Sequence, residues 1–225
     1  MAQQSETSQS APERVQKHFQ EQASSFDELY GTDETNEEAP LQRTLRPGLF
    51  RRRELAVSVV RSYESPSILD VGCGSGRIGE FLLEAGAGSY VGNDFSRPML
   101  DLAEKRLERY GEKVRFVEGD FLDVDIDGRY DVVVALGLFD YLPDPERFAR
   151  RMFQLTADGG TVVGSFPKWT WVKGPVRKIR YEWINNCPIF NYTERELQLM
   201  FGACGFREVD VQKPGRGGFL LRAVR

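Results

Sequence analysis

The sequence predicts an α/β fold in three layers, a seven-stranded, mostly parallel sheet between helices. Three observations lead there. From Ser67 onward, strand-like and helix-like segments alternate, the pattern of a parallel sheet with helices on both faces. The run Tyr130–Leu136 holds Val132, Val133, Val134 and Ala135 without interruption, as a strand buried on both faces does. Between these lies Ile68-Leu69-Asp70-Val71-Gly72-Cys73-Gly74-Ser75-Gly76-Arg77, three alternate glycines joining an apolar strand to a helix. Such a turn lets a ligand approach the backbone closely and aims helix N-terminal amides at it.

Ser67–Val71 is the first strand. A helix follows over Arg77–Ala85, with Ile78, Phe81, Leu82 and Ala85 on one face, and Gly86 stops it. Gly79 and Gly86 read as packing and C-cap glycines. Ser89–Asn93 is the second strand. Ser96 is placed to cap the next helix, Pro98 suits its first turn, and Met99, Leu100, Ala103 and Leu107 form its apolar stripe. Val114–Glu118 and Tyr130–Leu136 are the third and fourth strands. Asp144–Leu155 is a helix ended by Asp158-Gly159-Gly160, and Thr161–Ser165 the fifth strand. Thr193-x-x-Glu196 is a capping box opening a helix through Cys204. Phe206–Gln212 and Gly218–Val224 close the fold, joined by a Pro-Gly-Arg-Gly turn.

The predicted organisation is a disordered tail over 1–12, a helical cap over 13–62, and the main domain over 63–225 with a lid at 166–190. That lid is rich in cations and aromatics, among them Lys168, Trp169, Arg180 and Tyr181. The net charge of −4 argues against a nucleic-acid-binding surface. No apolar run is long enough to span a bilayer and no signal-peptide pattern opens the chain. The three cysteines, Cys73, Cys187 and Cys204, are widely spaced, which predicts reduced thiols in a cytoplasmic protein. The single histidine, His18, argues against a histidine metal site or a serine triad.

Gly74-Ser75-Gly76-Arg77-Ile78-Gly79 fits the dinucleotide fingerprint GxGxxG, a weak signal by itself. Asp70, two residues before Gly72, is poorly placed for a pyrophosphate and suits a cationic amino group. Neither a Tyr-x-x-x-Lys pair nor a core histidine stands ready for hydride chemistry. Asp123-x-Asp125-x-Asp127-Gly128 matches half of a calcium loop, but its twelfth position is Val134 inside a strand, so a solvated turn is expected. Arg51-Arg52-Arg53 reads as a solvated helix face that can also meet an anion.

At these residues the chain resembles the class I S-adenosylmethionine (SAM)-dependent methyltransferases of small molecules, whose fold is Rossmann-like with an antiparallel last strand. Asp70-Val71-Gly72-Cys73-Gly74-Ser75-Gly76 looks like their first motif. Asn93-Asp94 resembles their ribose contact, Gly119-Asp120-Phe121 their adenine contact, and Asp131–Phe139 their fourth-strand motif. The resemblance covers Ser67 to Arg225 and implies SAM as cofactor. It implies that Gly72 and Gly74 admit the methionine end and Asp70 supports its ammonium. Asp94 then accepts the ribose hydroxyls and Asp120 the adenine amino group. The Phe121 amide faces the adenine ring, its side chain packing there, with Leu136 and Gly137 beside the methionine. It further implies that Phe26 and Tyr30 close the pocket.

Many such enzymes place a histidine after the fourth strand. Here Leu138-Phe139-Asp140-Tyr141 stands instead, making Asp140 and Tyr141, with Tyr181 of the lid, the candidate catalytic contacts. Lys168 and Arg180 are candidate contacts for an anionic or aromatic small-molecule acceptor. The lid's Trp and Lys/Arg content also suits peripheral membrane contact. The rival readings are a non-catalytic SAM-binding or interaction module and an NAD-dependent oxidoreductase. Oligomeric state is not legible from these residues.

Overall fold

The structure, a computed structural model, describes residues 47–168, 190–213 and 218–225. Its elements are α1 (Pro47–Val60), β1 (Ser67–Val71), α2 (Arg77–Glu84), β2 (Ser89–Asp94), α3 (Arg97–Leu107), a 3₁₀ segment (Glu108–Lys113), β3 (Val114–Glu118), β4 (Tyr130–Ala135), α4 (Pro145–Leu155), β5 (Thr156–Phe166), α5 (Glu194–Ala203), β6 (Glu208–Gln212) and β7 (Phe219–Val224). They build one seven-stranded sheet in the order β3-β2-β1-β4-β5-β7-β6. The first five strands are parallel, and β7 runs antiparallel to both β5 and β6. The predicted sheet, with its reversed last strand, is thus the sheet observed. The strand order reverses direction between β1 and β4, the crevice where ligands of such sheets bind.

Strand residues alternate between two buried layers. Ile68, Val132, Val134 and Val163 pack with Ala56, Val59 and Val60 of α1, Leu82 of α2 and Leu100 of α3. Leu69, Val71, Val133 and Val162 face the other way, onto Phe148 and Met152 of α4 and Leu197 and Phe201 of α5. The valine run of β4 is therefore buried on both faces. Each fully buried side chain of this size contributes roughly 1.5–3 kcal/mol, which makes the two layers the main source of stability.

The helix ends follow local chemistry, with two departures from expectation. Thr193 Oγ1 accepts from the Glu196 amide and Glu196 Oε2 accepts from the Thr193 amide at 2.7 Å, completing the capping box. Ser96 does occupy the N-cap position of α3, but its hydroxyl makes no cap hydrogen bond; its amide instead donates to Asp94 Oδ1. The second departure is β5, which starts at Thr156 directly after α4 and runs through Asp158-Gly159-Gly160. Those glycines do not form a free loop because Arg225 pairs with them: Gly159 N donates to Arg225 O at 3.1 Å and Arg225 N to Gly160 O at 3.0 Å. The Arg225 guanidinium also donates to the carbonyls of Phe153 and Thr156 at the C-terminal end of α4, where the Thr156 amide also reaches Phe153 O.

Tyr63, just past α1, shares a 2.8 Å hydrogen bond with Thr161 Oγ1 of β5, which pairs with Val132 near the start of β4. The C-terminal end of α1 is thereby fixed at the amino ends of the strands. Its N-terminal half accordingly runs toward their carboxyl ends.

Candidate active site

The glycine turn is held by backbone and carboxylate together. The Gly72 and Cys73 amides donate to Asn93 O at 2.8 and 3.0 Å, tying β1's end to β2. Asp94, the last residue of β2, accepts from the Gly74 amide through Oδ2 and from the Ser96 amide through Oδ1, each at 2.9 Å. On the far side of the turn, Arg106 of α3 donates to Ser75 O at 2.9 Å. Gly74 has a φ of +53°, and a Cβ there would meet no atom within 4 Å. The turn therefore opens onto space at Gly74, whereas at Gly76 a Cβ would lie 3.0 Å from Ala103 Cβ, so Gly76 serves packing.

Asp70 is buried at the end of β1, where it accepts from the Tyr90 hydroxyl at 2.8 Å. Loss of water pushes its carboxyl up to about 7; the Tyr90 hydrogen bond opposes this and Asp94 adds to it. Asp94 is raised as well, chiefly by burial, against the backbone amides that hold its charged form. Burial, with Asp70 and Asp94 nearby, pushes the Cys73 thiol far up, so it stays neutral. Two buried carboxylates at neighbouring strand ends form a site that favours a cation.

The Asn93 side-chain amide spans the carbonyls of Val117 and Gly119, both at 3.0 Å, and so fixes the turn after β3. Asp120 is exposed there and its Oδ1 accepts from the Leu122 amide at 2.8 Å. The Phe121 ring is buried, 5.4 Å from the Phe148 ring and beneath the Arg151 guanidinium. Arg151 secures this turn further by donating to the carbonyls of Leu122 and Val124.

Beyond β4, Leu136 is half-buried against the α1 layer. The Gly137 amide donates to Ser165 Oγ at 2.8 Å. Leu138 reaches over the glycine turn: a Cβ on Gly72 would lie 3.2 Å from its Cδ1. Asp140 is buried and Tyr141 half-buried. The Phe190 amide donates to Asp140 O at 2.9 Å, and the Tyr192 hydroxyl to Phe139 O at 3.2 Å. Lys168 is exposed, with its ammonium 5.8 Å from the centre of the Phe219 ring.

Asp70, Gly72, Gly74, Asp94, Leu136 and Gly137 thus share the carboxyl ends of β1, β2 and β4, with Asp120 and Phe121 at the end of β3. Asp140 and Tyr141 follow on the β4 side. Phe26, Tyr30, Arg180 and Tyr181 lie outside the described residues, as do His18 and Cys187. No cluster of metal-ligating side chains occurs among the described residues, the Asp123–Gly128 turn included. No described helix is long and apolar enough to cross a membrane.

Sequence reasoning missed Tyr90, Arg106, Arg151 and Ser165 as supports of the site. Only Ser165 carried a signal, a hydroxyl directly after the apolar run Val162-Val163-Gly164.

Residues 68–160 match the family described as "Methyltransferase domain". A demethylmenaquinone methyltransferase of Thermus thermophilus is 34% identical over 116 residues, 51% of this chain and 53% of that protein. A cypemycin N-terminal methyltransferase of a Streptomyces species is 46% identical over 77 residues, 34% of this chain and 30% of that one. The chain therefore spans about half, or less, of the length of these curated relatives. Among solved structures, magnesium protoporphyrin IX methyltransferase from Synechocystis PCC 6803 with bound SAH superposes with a TM-score of 0.73 at 21% identity, covering 95% of this chain and 99% of that one. Residues 68–160 are thus similar to the methyltransferase-domain family, and the chain shares the fold of the Synechocystis methyltransferase.

Proposed function

We propose that the chain is a SAM-dependent methyltransferase that moves a methyl group to an oxygen or nitrogen of a small, anionic or aromatic molecule. The observation that carries this reading is the open glycine turn at Gly74, clamped by Asp94 and flanked by buried Asp70. SAM is cationic at its sulfonium and its ammonium and has no phosphate. Two carboxylates whose charge is costly to bury fit such a ligand and oppose a pyrophosphate.

Bound there, SAM supplies a methyl group already activated on a sulfonium. The chain's own residues bind and orient. Asp70 faces the ammonium. Asp94 accepts backbone amides through both oxygens, and a carboxylate has about four acceptor sites, so it retains capacity for a ribose hydroxyl. Asp120 offers its carboxylate to the adenine amino group. Leu138, lying over Gly72, shields the turn from water. In-line placement of the acceptor beside the methyl group can lower the barrier by about 7–11 kcal/mol.

The Asp140 carboxylate and the Tyr141 hydroxyl are the groups on the β4 side that can hold the acceptor or receive its proton. The named acceptors of the relatives differ, a quinone precursor, a peptide N-terminus and a tetrapyrrole, so the acceptor class here rests on this chain's own residues. Lys168 at the end of β5 supports an anionic one.

Calorimetry with SAM and with its product S-adenosylhomocysteine (SAH) tests the cofactor. Mass spectrometry of a panel of phenols, quinols, porphyrins and amines incubated with SAM tests the transfer. Binding of both ligands and a mass gain of one methyl group are expected. Failure to bind either ligand, or binding of NADH in their place, would overturn the reading. SAM binding with no methyl loss across the panel would point to a non-catalytic module instead.

A further inference from the structure

We propose that Tyr90 is a positioning residue for the cofactor: its hydroxyl holds the Asp70 carboxylate at the crevice, so that binding of an adenosyl ligand with an amino-acid end releases a proton. The inference rests on the SAM reading above and deepens it.

Asp70 of β1 pairs with Gly92 of β2, and Tyr90 lies two residues earlier on the same face. Gly92 puts no side chain opposite Asp70; a Cβ there would lie 2.9 Å from Cys73 Sγ and 3.0 Å from the Phe116 ring. The Tyr90 phenol reaches diagonally across this gap to the carboxylate. It is fully buried in a layer that Ile68, Leu82 and Leu100 otherwise fill with apolar groups. An apolar side chain would fill the place without the cost of burying a hydroxyl, so the hydroxyl has its use at Asp70. Its bond to Asp70 Oδ2, at 2.8 Å, is that carboxylate's one hydrogen bond among the described residues, which leaves Oδ1 for a ligand.

The surroundings of Asp70 are negative or neutral. Asp94 ends β2, the Cys73 thiol lies in the turn, and β4 sets Val134 beside it. The cations of the neighbouring helices are placed elsewhere. In α1, Arg52 reaches Gly137 and Arg53 lies over the Phe50 and Phe81 rings. Arg77 opens α2, whose Glu80 pairs with Arg109, and Arg106 of α3 binds Ser75 O. No described Lys or Arg forms an ion pair with Asp70.

Burial and Asp94 therefore favour the protonated carboxyl, while the Tyr90 bond favours the charged one. Burial also holds the Tyr90 proton, so the phenol stays a donor. A ligand ammonium supplies a positive charge at Oδ1, and the carboxyl gives its proton to solvent. Affinity then rises with pH through the Asp70 titration at about 7 and levels off above it.

The test is calorimetry on the full chain from about pH 5.5 to about pH 8, with SAH and with methylthioadenosine, which lacks the amino-acid end. Wild type should bind SAH about tenfold more tightly at the upper end, and its binding heat below pH ~7 should vary with the buffer's ionisation enthalpy. Tyr90→Phe should bind SAH about 5- to 10-fold more weakly near pH ~6, with the deficit closing toward pH ~8. Asp70→Asn should bind SAH weakly with a flat profile. Methylthioadenosine should give flat profiles throughout, which separates this proton from that of His18, the single histidine.

A Tyr90→Phe deficit equal at every pH, or no deficit, would overturn the proposal. So would a methylthioadenosine profile that follows that of SAH. Binding of SAH by wild type without proton release below pH ~7 would overturn it even if Tyr90→Phe failed to fold. Absence of SAH binding by wild type at every pH would overturn the SAM reading, and the proposal with it.

Discussion

The Tyr90 hydroxyl donates to Asp70 Oδ2 at 2.8 Å inside the core, joining neighbouring strands just beneath the glycine turn. Gly79 makes room for the ring. A Cβ at 79 would lie 2.6 Å from Tyr90 Cζ and 2.7 Å from its oxygen. The glycine of α2, the tyrosine of β2 and the acid of β1 thus form one unit, so a change in the helix reaches the site through the ring.

Gly79→Ala is expected to destabilise the fold by about 1–3 kcal/mol, the usual cost of overpacking a filled core. It should also weaken SAH binding, because the displaced ring no longer orients Asp70. Denaturant unfolding and calorimetry on the same protein check both effects; wild-type stability would show that the ring moves freely.

Gly74→Ala should behave in the opposite sense. Its Cβ meets nothing in the structure, so the fold loses only the cost of a left-handed alanine, about 1–2 kcal/mol. Ligand affinity should fall much further, because the methyl group fills the space that the turn opens. A large affinity loss with a melting temperature lowered by only a few degrees is the expected pattern.

Asp70 predicts a pH dependence. Its folded-state carboxyl is pushed up to about 7 from an ordinary 3.8, chiefly by burial. A raised folded value means that the native state binds this proton more tightly than the unfolded state does. The resulting stability is complete below the unfolded value and is lost as pH rises through about 7. Asp70→Asn lacks this titration while its side-chain oxygen can still accept from Tyr90. Relative to wild type, the variant should gain stability as pH rises from about 4 to about 7 in denaturant titrations, and no further above that. The same variant should bind SAM more weakly by about tenfold or more, having lost the charge that faces the ammonium.

Asp94→Ala removes the acceptor of two backbone amides, Gly74 and Ser96. Each amide left without a partner costs about 1–3 kcal/mol if it stays buried, so a lowered melting temperature and loss of measurable SAH binding are both expected. Retained nanomolar-to-micromolar affinity would remove Asp94 from the ribose role.

Much of the layout was legible in the residues. Alternating apolar segments and the β4 valine run predicted the parallel layers because burial on both faces demands such a run. Thr193 and Glu196 predicted their own helix start because a capping box closes within a few residues. Ser96 and the Asp158–Gly160 stretch misled for different reasons: the Ser96 amide has a local carboxylate partner in Asp94, and the two glycines have a backbone partner distant in sequence. The Ser96 amide goes to the carboxylate that also serves the glycine turn, and the two glycines pair with Arg225.

By itself the sequence determined the glycine turn, the acid at the end of each of the first two strands and the sheet that carries them, since each is written in short spacings. Only the tertiary structure decided that Asp94 clamps Gly74, that Tyr90 holds Asp70, and that Arg52 among three adjacent arginines reaches Gly137. Those relations depend on how strands and helices far apart in the chain are stacked, and close packing, not local pattern, sets which side chains meet.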